Sequence, residues 1–459
     1  MKKLSLSALI AAGVLAGGMS AANAADLGGN CCADLEERIA ELEATTARKG
    51  NRKVSLTISG WVVQQITFWD DGRESNAYIN DAGDSLASHV KFTGSAQITS
   101  DWSAGYVLHI EAISNEAILL NANASNAGRG VGVYQSFWYV KSNTLGKLSL
   151  GLQSGAADNQ AILPDASGSL VPANYVMFDN NAFALIRSGD PAKTRTSTNW
   201  GSLASCGSRQ GAALAADCEG VPTNNVRYDT PTLAGFSASA SWGEDDEWAV
   251  SGRYTGEFNS VKVAAAIAYF DANSDRVGGV NPTLDPITGA SFRRSAGALQ
   301  VGGYLQHVPT GLFVYGAYGK DYNSSILSPG EVAAFGNKTD GDSFYLKAGI
   351  RQKWNPLGHT VLFGEYGENN DKMTVANWNS GVSGSNITQW GVGLVQEIDA
   401  AAMSTWILYR NFSADQTCRA GATDVSCSAS LASGGLAGAA GKVSFKDIDI
   451  VKVGALINF

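Results

Sequence analysis

Among the side chains that could act as nucleophiles, bases or metal ligands, this 459-residue chain has four histidines and six cysteines. His89, His109, His307 and His359 stand far apart in the sequence, and none lies in an H-E-x-x-H or G-x-S-x-G context. A hydrolase that pairs His109 with the nearby Glu111 is the alternative that these residues leave open. The spacing therefore predicts no metal site, no cofactor and no enzyme.

The cysteines fall in three local groups, which are Cys31/Cys32, Cys206/Cys218 and Cys418/Cys427. The last two pairs lie in segments rich in Gly, Ser and Ala and lack the C-x-x-C spacing of metal ligands. In an oxidising compartment such pairs form disulfides, so the sequence predicts two loop disulfides. The first group stays open between free or mutually linked thiols near the N-terminus and a link between protomers.

Charged side chains recur opposite apolar ones at alternate positions. Gly146–Gln153, for example, sets Leu148 and Leu150 against Lys147 and Ser149. A period of two is typical of a strand with one apolar and one polar face. About ten such residues, repeated between polar turns, indicate a transmembrane β-barrel.

Sixteen segments carry this pattern, which predicts an all-β fold, a 16-stranded antiparallel transmembrane β-barrel. Rings at strand ends, among them Trp69, Trp102, Trp242 and Trp354, are expected at the headgroup level. The predicted strands are Val54–Trp69, Ser88–Thr99, Ser103–Ile113, Val133–Lys141, Gly146–Gln153, Asn225–Thr230, Phe236–Trp242, Trp248–Glu257, Val261–Phe270, Ala298–His307, Leu312–Asp321, Ser343–Trp354, His359–Glu368, Thr388–Ile398, Met403–Phe412 and Phe445–Phe459.

The polar faces of these strands carry many charges. In a dry core each buried charge would cost several kcal/mol, whereas a barrel of about sixteen strands encloses water. We therefore predict a water-filled pore. Its predicted wall residues are Lys91, Lys147, Arg227, Arg253, Lys262, Lys347, Arg351, Lys353, Arg410, Glu111 and Glu365.

The connections between strands alternate between long and short, as expected for external loops and periplasmic turns. The third long connection, residues 154–224, is far longer than the others and contains Asp158, Asp165, Asp179 and Asp190. Long loops usually have a function. We expect its first half to fold into the barrel and narrow it, with its aspartates opposite basic wall residues, and its second half to form an external cap.

The N-terminal region divides into two segments before the barrel, which takes up residues 53–459. Residues 1–24 have the charged start, apolar stretch and small-x-small site of a secretory signal peptide. Within residues 25–52, Asp34–Ala47 places Leu35, Ile39 and Leu42 at heptad spacing, which predicts a short periplasmic helix that associates with copies of itself. A frayed amphipathic tail is the alternative.

The composition limits the classes of partner. Charged residues make up 16% of the chain, below the usual value of about 25%. The formal net charge of -9 argues against nucleic acid, because no basic stripe is available to neutralise phosphates. Outer-membrane lipid and small hydrophilic solutes are the expected partners.

The exported start, the segment from Cys31 to Glu43 leading into Lys53–Trp61, and the terminal Phe459 resemble the alphaproteobacterial (rhizobial-type) general porins. The resemblance implies a homotrimer in the outer membrane of a Gram-negative bacterium, with passive diffusion of ions and small solutes. It also implies an inward loop between strands five and six, and recognition of Phe459 by the barrel-assembly machinery. A porin that prefers a sugar or an anion is the alternative within the same class.

Overall fold

The computed structural model describes residues 53–83, 86–206, 217–243, 246–273, 283–292, 294–427 and 440–459. The predicted N-terminal helix and the cleavage site lie outside these residues. The described chain is built around one closed antiparallel sheet.

All sixteen predicted wall strands are present, with ends that differ from the prediction by a few residues. The strands are β1 (Thr57–Asp70), β2 (Ser88–Gln97), β3 (Trp102–Ile113), β4 (Gly130–Ser142), β5 (Gly146–Gln153), β6 (Thr223–Asp229), β7 (Phe236–Gly243), β8 (Trp248–Phe258), β9 (Val261–Asn273), β10 (Ser295–His307), β11 (Leu312–Ser325), β12 (Gly341–Asn355), β13 (Gly358–Asn370), β14 (Val382–Ile398), β15 (Met403–Cys418) and β16 (Ile448–Asn458).

Each strand pairs with its neighbours in the sequence, and the first pairs with the last. The register between β1 and β16 runs from Trp61 opposite Asn458 to Asp70 opposite Asp449. On its other edge β1 pairs with β2, with Trp61 opposite His89. Closure satisfies the backbone groups of both would-be edge strands, which an open sheet in lipid could not do.

The alternation predicted from the sequence separates an apolar outer face from a polar inner face. In β1, Val62, Ile66 and Phe68 are exposed, whereas the alternate residues Gln65 and Thr67 are buried. Large apolar side chains are likewise exposed on the outside of other strands, whereas the buried inner positions include apolar residues as well, such as Trp406 and Leu408 beside Arg410 in β15. An exposed apolar face of this kind is stable against hydrocarbon rather than water.

The aromatic residues at the strand ends point outward or inward according to their position in this alternation. Trp102, Trp242, Trp248 and Trp354 are exposed on the outside, as expected for interfacial rings. Trp69 is only 3% exposed, so its assignment to this belt is wrong. It lies in phase with the inward residues of β1 and packs there.

Long and short connections alternate between the strands. The connection 244–247, between β7 and β8, is on the long-loop side but is short. The long connections are 71–87, 114–129, 154–222, 274–294, 326–340, 371–381 and 419–447, and the short ones are 98–101, 143–145, 230–235, 259–260, 308–311, 356–357 and 399–402.

The connections between the strands contain short elements of their own. Among the described residues, no helix has the length and apolar character needed to cross a membrane. The additional strands are Ser75–Asn80, Ala184–Ile186, Arg195–Asn199, Thr283–Leu284, Ser291–Phe292 and Gly441–Ser444. The α-helices are α1 (Leu170–Ala173), α2 (Pro329–Phe335) and α3 (Val375–Asn379), and the 3-10 helices are Ala117–Leu119, Val176–Phe178, Trp200–Leu203, Asp399–Ala401 and Val425–Cys427.

Candidate channel lumen and its loop

The connection between β5 and β6, residues 154–222, is called loop three below. Its first half lies against the inner face of the barrel. It begins at β7, where the Ala156 amide donates to Ser241 Oγ at 2.8 Å. It reaches β8 next, where Arg253 Nε donates to Gln160 Oε1 at 2.5 Å. The loop then follows the wall as far as β16 and β1.

The middle of this path depends on a close approach to β10 and β11. Tyr315 Oη in β11 donates to the carbonyl oxygen of Ala161 at 2.5 Å. A Cβ atom at Gly302 in β10 would overlap that carbonyl oxygen. Glycine at 302 therefore lets the loop backbone lie directly on the wall.

The Asp165 carboxylate anchors the loop to β12. Lys347 Nζ lies 2.6 Å from Asp165 Oδ2 and 2.7 Å from Asn174 Oδ1, and both side chains of the ion pair are 0% exposed. Asn174 Nδ2 also donates to Asp165 Oδ2, at 2.8 Å. The charge of Lys347 is thus buried and fully engaged by loop three.

The Asp179 carboxylate forms a second anchor, on the last two strands. It pairs with Arg410 of β15 and, at 2.7 Å, with Lys452 of β16. Arg410 Nε donates in turn to Glu365 of β13 at 2.6 Å, and its NH2 group donates to the Ala173 carbonyl at 2.7 Å. Two bases and two acids therefore neutralise one another behind the loop.

Apolar contacts complete the docking of the first half. Ile162, Val176, Phe178 and Phe183 are buried, and the Phe183 ring lies 5.0 Å from the Trp69 ring. The neighbouring Leu163 is 52% exposed and takes no part in this docking.

The second half of loop three contacts other external loops. Arg195 pairs with Asp71 at 2.6 Å and with Glu74 at 2.7 Å. The Ser188 amide donates to the Ser444 carbonyl oxygen at 3.0 Å. These contacts form a cap above the strands, on the side of the long connections.

Both predicted disulfides are formed. The Cys206–Cys218 bond closes the end of this cap, and the Cys418–Cys427 bond joins β15 to the last long loop.

The other two predicted aspartates of loop three make different contacts. Asp190 accepts hydrogen bonds from the amides of Ala192 and Thr194, at 2.9 and 2.7 Å. The Thr194 amide above all lowers the pKa of Asp190. Asp158 is buried beside the loop backbone, and Asn159 Nδ2 donates to its Oδ1 at 2.8 Å. Asp190 thus belongs to the cap, and Asp158 to the docked half.

The predicted wall residues divide into a covered group and an accessible group. Lys347, Arg410, Glu365 and Glu111 are buried. The accessible wall residues are Lys91, Lys147, Arg227, Arg253, Lys262, Arg351 and Lys353.

Several of the accessible bases have acidic neighbours within the wall. Lys147 and Arg227 share Asp229, at 3.0 and 2.8 Å, and Arg351 lies 2.7 Å from Glu397. By contrast, Lys91, Arg253 and Lys262 make no ion pair with any carboxylate that the structure describes.

Sequence reasoning missed several residues that hold the loop. Asn174 of the loop accepts from Lys347 Nζ, Tyr315 donates to the loop backbone and Gly302 admits it, yet none of the three carries a charge. The one available signal was Gly302-Gly303 within a strand pattern, since glycine in a strand often marks close backbone approach.

Comparison with known proteins agrees with this architecture. No curated protein matches the chain in sequence. Its structure is similar to an anion-selective porin from Comamonas acidovorans, with 14% identity, 88% of this chain and 100% of the other covered, and a TM-score of 0.51. Pseudomonas putida OprB, in a high-pH structure, gives 8% identity, 93% and 97% coverage, and a TM-score of 0.52. These identities support the fold alone.

The sequence also matches a family model described as Gram-negative porin over residues 7–405, which is most of the chain. That match agrees with the closed barrel, its apolar outer face and its charged inner face. The chain belongs to the Gram-negative porin family, and it is a channel protein of the outer membrane.

Proposed function

We propose that loop three sets the size of the passive aqueous pathway for ions and small hydrophilic solutes. The observation that carries this proposal is the double anchor of Asp165 on Lys347 and of Asp179 on Arg410 and Lys452. These buried contacts hold the first half of the loop against the inner wall. The pathway is then the space between the docked loop and the uncovered part of the wall.

The charges of the two anchors contribute little to the electric field in the pathway. A carboxylate that touches its wall base leaves little net field in the adjacent water, because the two charges cancel at short range. The field in the pathway therefore comes from the accessible bases. Arg253 on β8 is central to this group, since it contacts Gln160 of the loop.

Loop replacement tests the proposal. Residues 158–190 are replaced by a short Gly/Ser linker, and single-channel conductance is measured in a planar bilayer. The matched control replaces residues 283–292, in the connection between β9 and β10. We expect higher conductance for the first variant and wild-type conductance for the control. Unchanged conductance in a folded first variant would rule loop three out as the constriction.

Anion preference is the second candidate function. It is favoured by Lys91 and Arg253, which lack ion pairs with the described carboxylates, whereas Lys262 lies opposite Glu257 in the register of β8 on β9. The Comamonas acidovorans porin is anion-selective by its name. The reversal potential in a salt gradient tests this anion preference, and a value that indicates cation selectivity would exclude it.

We also propose that the protein belongs to the alphaproteobacterial subgroup of porins and assembles as a homotrimer. The motif from Cys31 to Glu43 and the start of β1 support an alphaproteobacterial, homotrimeric porin. Size-exclusion chromatography with light scattering should give three chains per detergent particle, and a mass of one chain would contradict it.

Residues 1–24 are proposed as the signal peptide, with residues 25–52 as a periplasmic segment before the barrel. N-terminal sequencing of the purified protein tests the first boundary. A mature chain that begins at Ala25 is expected.

Phe459 is proposed as the residue that the barrel-assembly machinery recognises. Its amide donates to the Gly60 carbonyl at 3.0 Å, and the Gly60 amide donates back at 3.0 Å. The ring itself is exposed. Deletion of Phe459 should lower the amount of folded protein in the outer membrane.

A catalytic role has little support. The family and the fold are those of a channel. His109 Nε2 lies 3.9 Å from Glu111 Oε1, but neither ring nitrogen of His109 hydrogen-bonds to a hydroxyl or thiol among the described residues. A hydrolase would need such a nucleophile. Absence of lipid and peptide hydrolysis by the purified protein is the expected result.

A further inference from the structure

Two of the four histidines, which stand apart in the sequence, meet on the inner face of the barrel. His89 in β2 lies opposite Glu111 in β3, and Lys91 lies opposite His109. The His89 and His109 ring centroids are 4.2 Å apart. One ring nitrogen from each histidine and one Glu111 oxygen lie within 4.8 Å of one another. We propose that His89, His109 and Glu111 bind one divalent transition-metal ion of the zinc class.

The donor set suits that class of ion. Two neutral imidazoles and one carboxylate are ligands for Zn²⁺, Ni²⁺, Cu²⁺ and Fe²⁺, whereas Mg²⁺ and Ca²⁺ prefer oxygen. In a tetrahedral site with bonds of about 2.0–2.1 Å, donor atoms are about 3.3 Å apart. The observed 3.9 Å between His109 Nε2 and Glu111 Oε1 is close to that value, so a small side-chain rotation suffices.

The hydrogen bonding of the two rings points the same way. His89 Nδ1 lies 3.2 Å from the Ala87 carbonyl oxygen, so Nδ1 carries the proton and Nε2 keeps its lone pair. A backbone carbonyl partner of this kind is typical of metal-binding histidines. His109 is 4% exposed, and neither of its ring nitrogens hydrogen-bonds to any residue that the structure describes.

The surroundings shield the three ligands. Trp61 packs on His89, with ring centroids 4.2 Å apart, and Tyr134 packs on His109 at 5.1 Å. Tyr134 Oη donates to the Gly220 carbonyl oxygen at 3.4 Å, which places the cluster beside the end of loop three. The half-buried Lys91 beside the cluster opposes a cation, so its replacement by a neutral residue should strengthen binding.

Calorimetric titration with ZnCl₂ tests the proposal on the full-length protein in detergent. All samples carry Cys31→Ser and Cys32→Ser, so that these two side chains contribute no thiolate. One Zn²⁺ per chain is expected, with no comparable binding of Mg²⁺. His89→Gln, His109→Gln and Glu111→Gln should each weaken binding at least tenfold. Lys91→Gln should strengthen it.

His359→Gln is the matched control. His359 Nδ1 lies 3.4 Å from Glu397 Oε2, so this pair resembles half of the proposed site but is more exposed. Its removal should leave Zn²⁺ affinity unchanged. Wild-type affinity in a folded His89→Gln/His109→Gln double variant would overturn the proposal, as would the absence of Zn²⁺ binding to the parent. If the histidine variants do not fold, the Lys91→Gln titration decides, because unchanged affinity there overturns it too.

Discussion

The Asp179 carboxylate in loop three forms a buried ion pair with Lys452 in the last strand of the barrel, with Oδ1 2.7 Å from Nζ. Arg410 contacts the same carboxylate from the neighbouring strand. The inner wall and the loop are therefore held together by charges that neither could bury alone.

Loss of the Asp179 charge should destabilise the folded barrel. Asp179→Asn leaves Lys452 and part of Arg410 uncompensated, and removal of one partner of a buried pair costs about 3–5 kcal/mol. We expect the folded band in detergent gels to disappear at a lower temperature than in the wild type. Asp190→Asn is the control, because that carboxylate caps its own exposed turn. If the folded bands of the two variants disappeared at the same temperature, Asp179 would not be a stabilising anchor.

A side chain at position 302 should push loop three off the wall. The Cβ of Gly302→Ala would overlap the Ala161 carbonyl oxygen. Overpacking of this kind costs about 1–3 kcal/mol, and the loop must shift toward the pathway to relieve it. Single-channel recordings should show a changed conductance or added noise. Gly303→Ala meets nothing within 4 Å and should conduct like the wild type. Matching recordings from both variants would contradict this prediction.

Charge reversal at Arg253 should change ion selectivity. Arg253 lies beside Gln160 of the docked loop and has no ion pair with the described carboxylates. Arg253→Glu changes the local charge by two units, so the reversal potential in a KCl gradient should move toward cation preference. Lys442→Glu, in the last external loop and largely exposed, is the comparison variant and should produce a smaller shift. An unmoved reversal potential would place Arg253 outside the narrow zone.

Acid should release the loop between β9 and β10. Burial raises the pKa of Asp285, but the amides of Ile287, Thr288 and Gly330 outweigh it and lower the pKa to about 2. A pKa below the usual value of about 3.9 means that this contact is fully formed above pH 4 and is lost as pH falls through about 2. Pepsin cleavage within residues 283–292 should therefore accelerate below pH 2.

The Asp285→Asn variant supplies the comparison for that measurement. It lacks the charge at every pH, so it should be cleaved faster than the wild type near pH 4. The two rates should converge near pH 2. A ratio of rates that stays constant across this range would mean that the carboxylate charge does not hold the loop.

The strands could be predicted from the sequence because their signal is local. Each segment alternates between apolar and polar residues, and membrane and water impose that alternation on every strand independently. Loop lengths and the local cysteine pairs are also properties of short stretches. Even the inward direction of Trp69 follows from its phase with Gln65 and Thr67, although its position at a strand end suggested an interfacial role.

The partners of loop three could not be predicted, because they depend on closure of the barrel. Asp179 meets Arg410 and Lys452 only after the last strands have returned beside the first. The sequence shows acids in a long loop and bases on many strands, but not which strands the loop reaches.

The sequence by itself therefore determined the barrel, the number of strands and the division between a lipid face and a water face. Only the tertiary structure decided which charges are covered and which remain in the pathway. It also brought His89, His109 and Glu111 together through the register of β2 on β3. The physical reason is that alternation is encoded one strand at a time, whereas register and closure join residues that no local pattern connects.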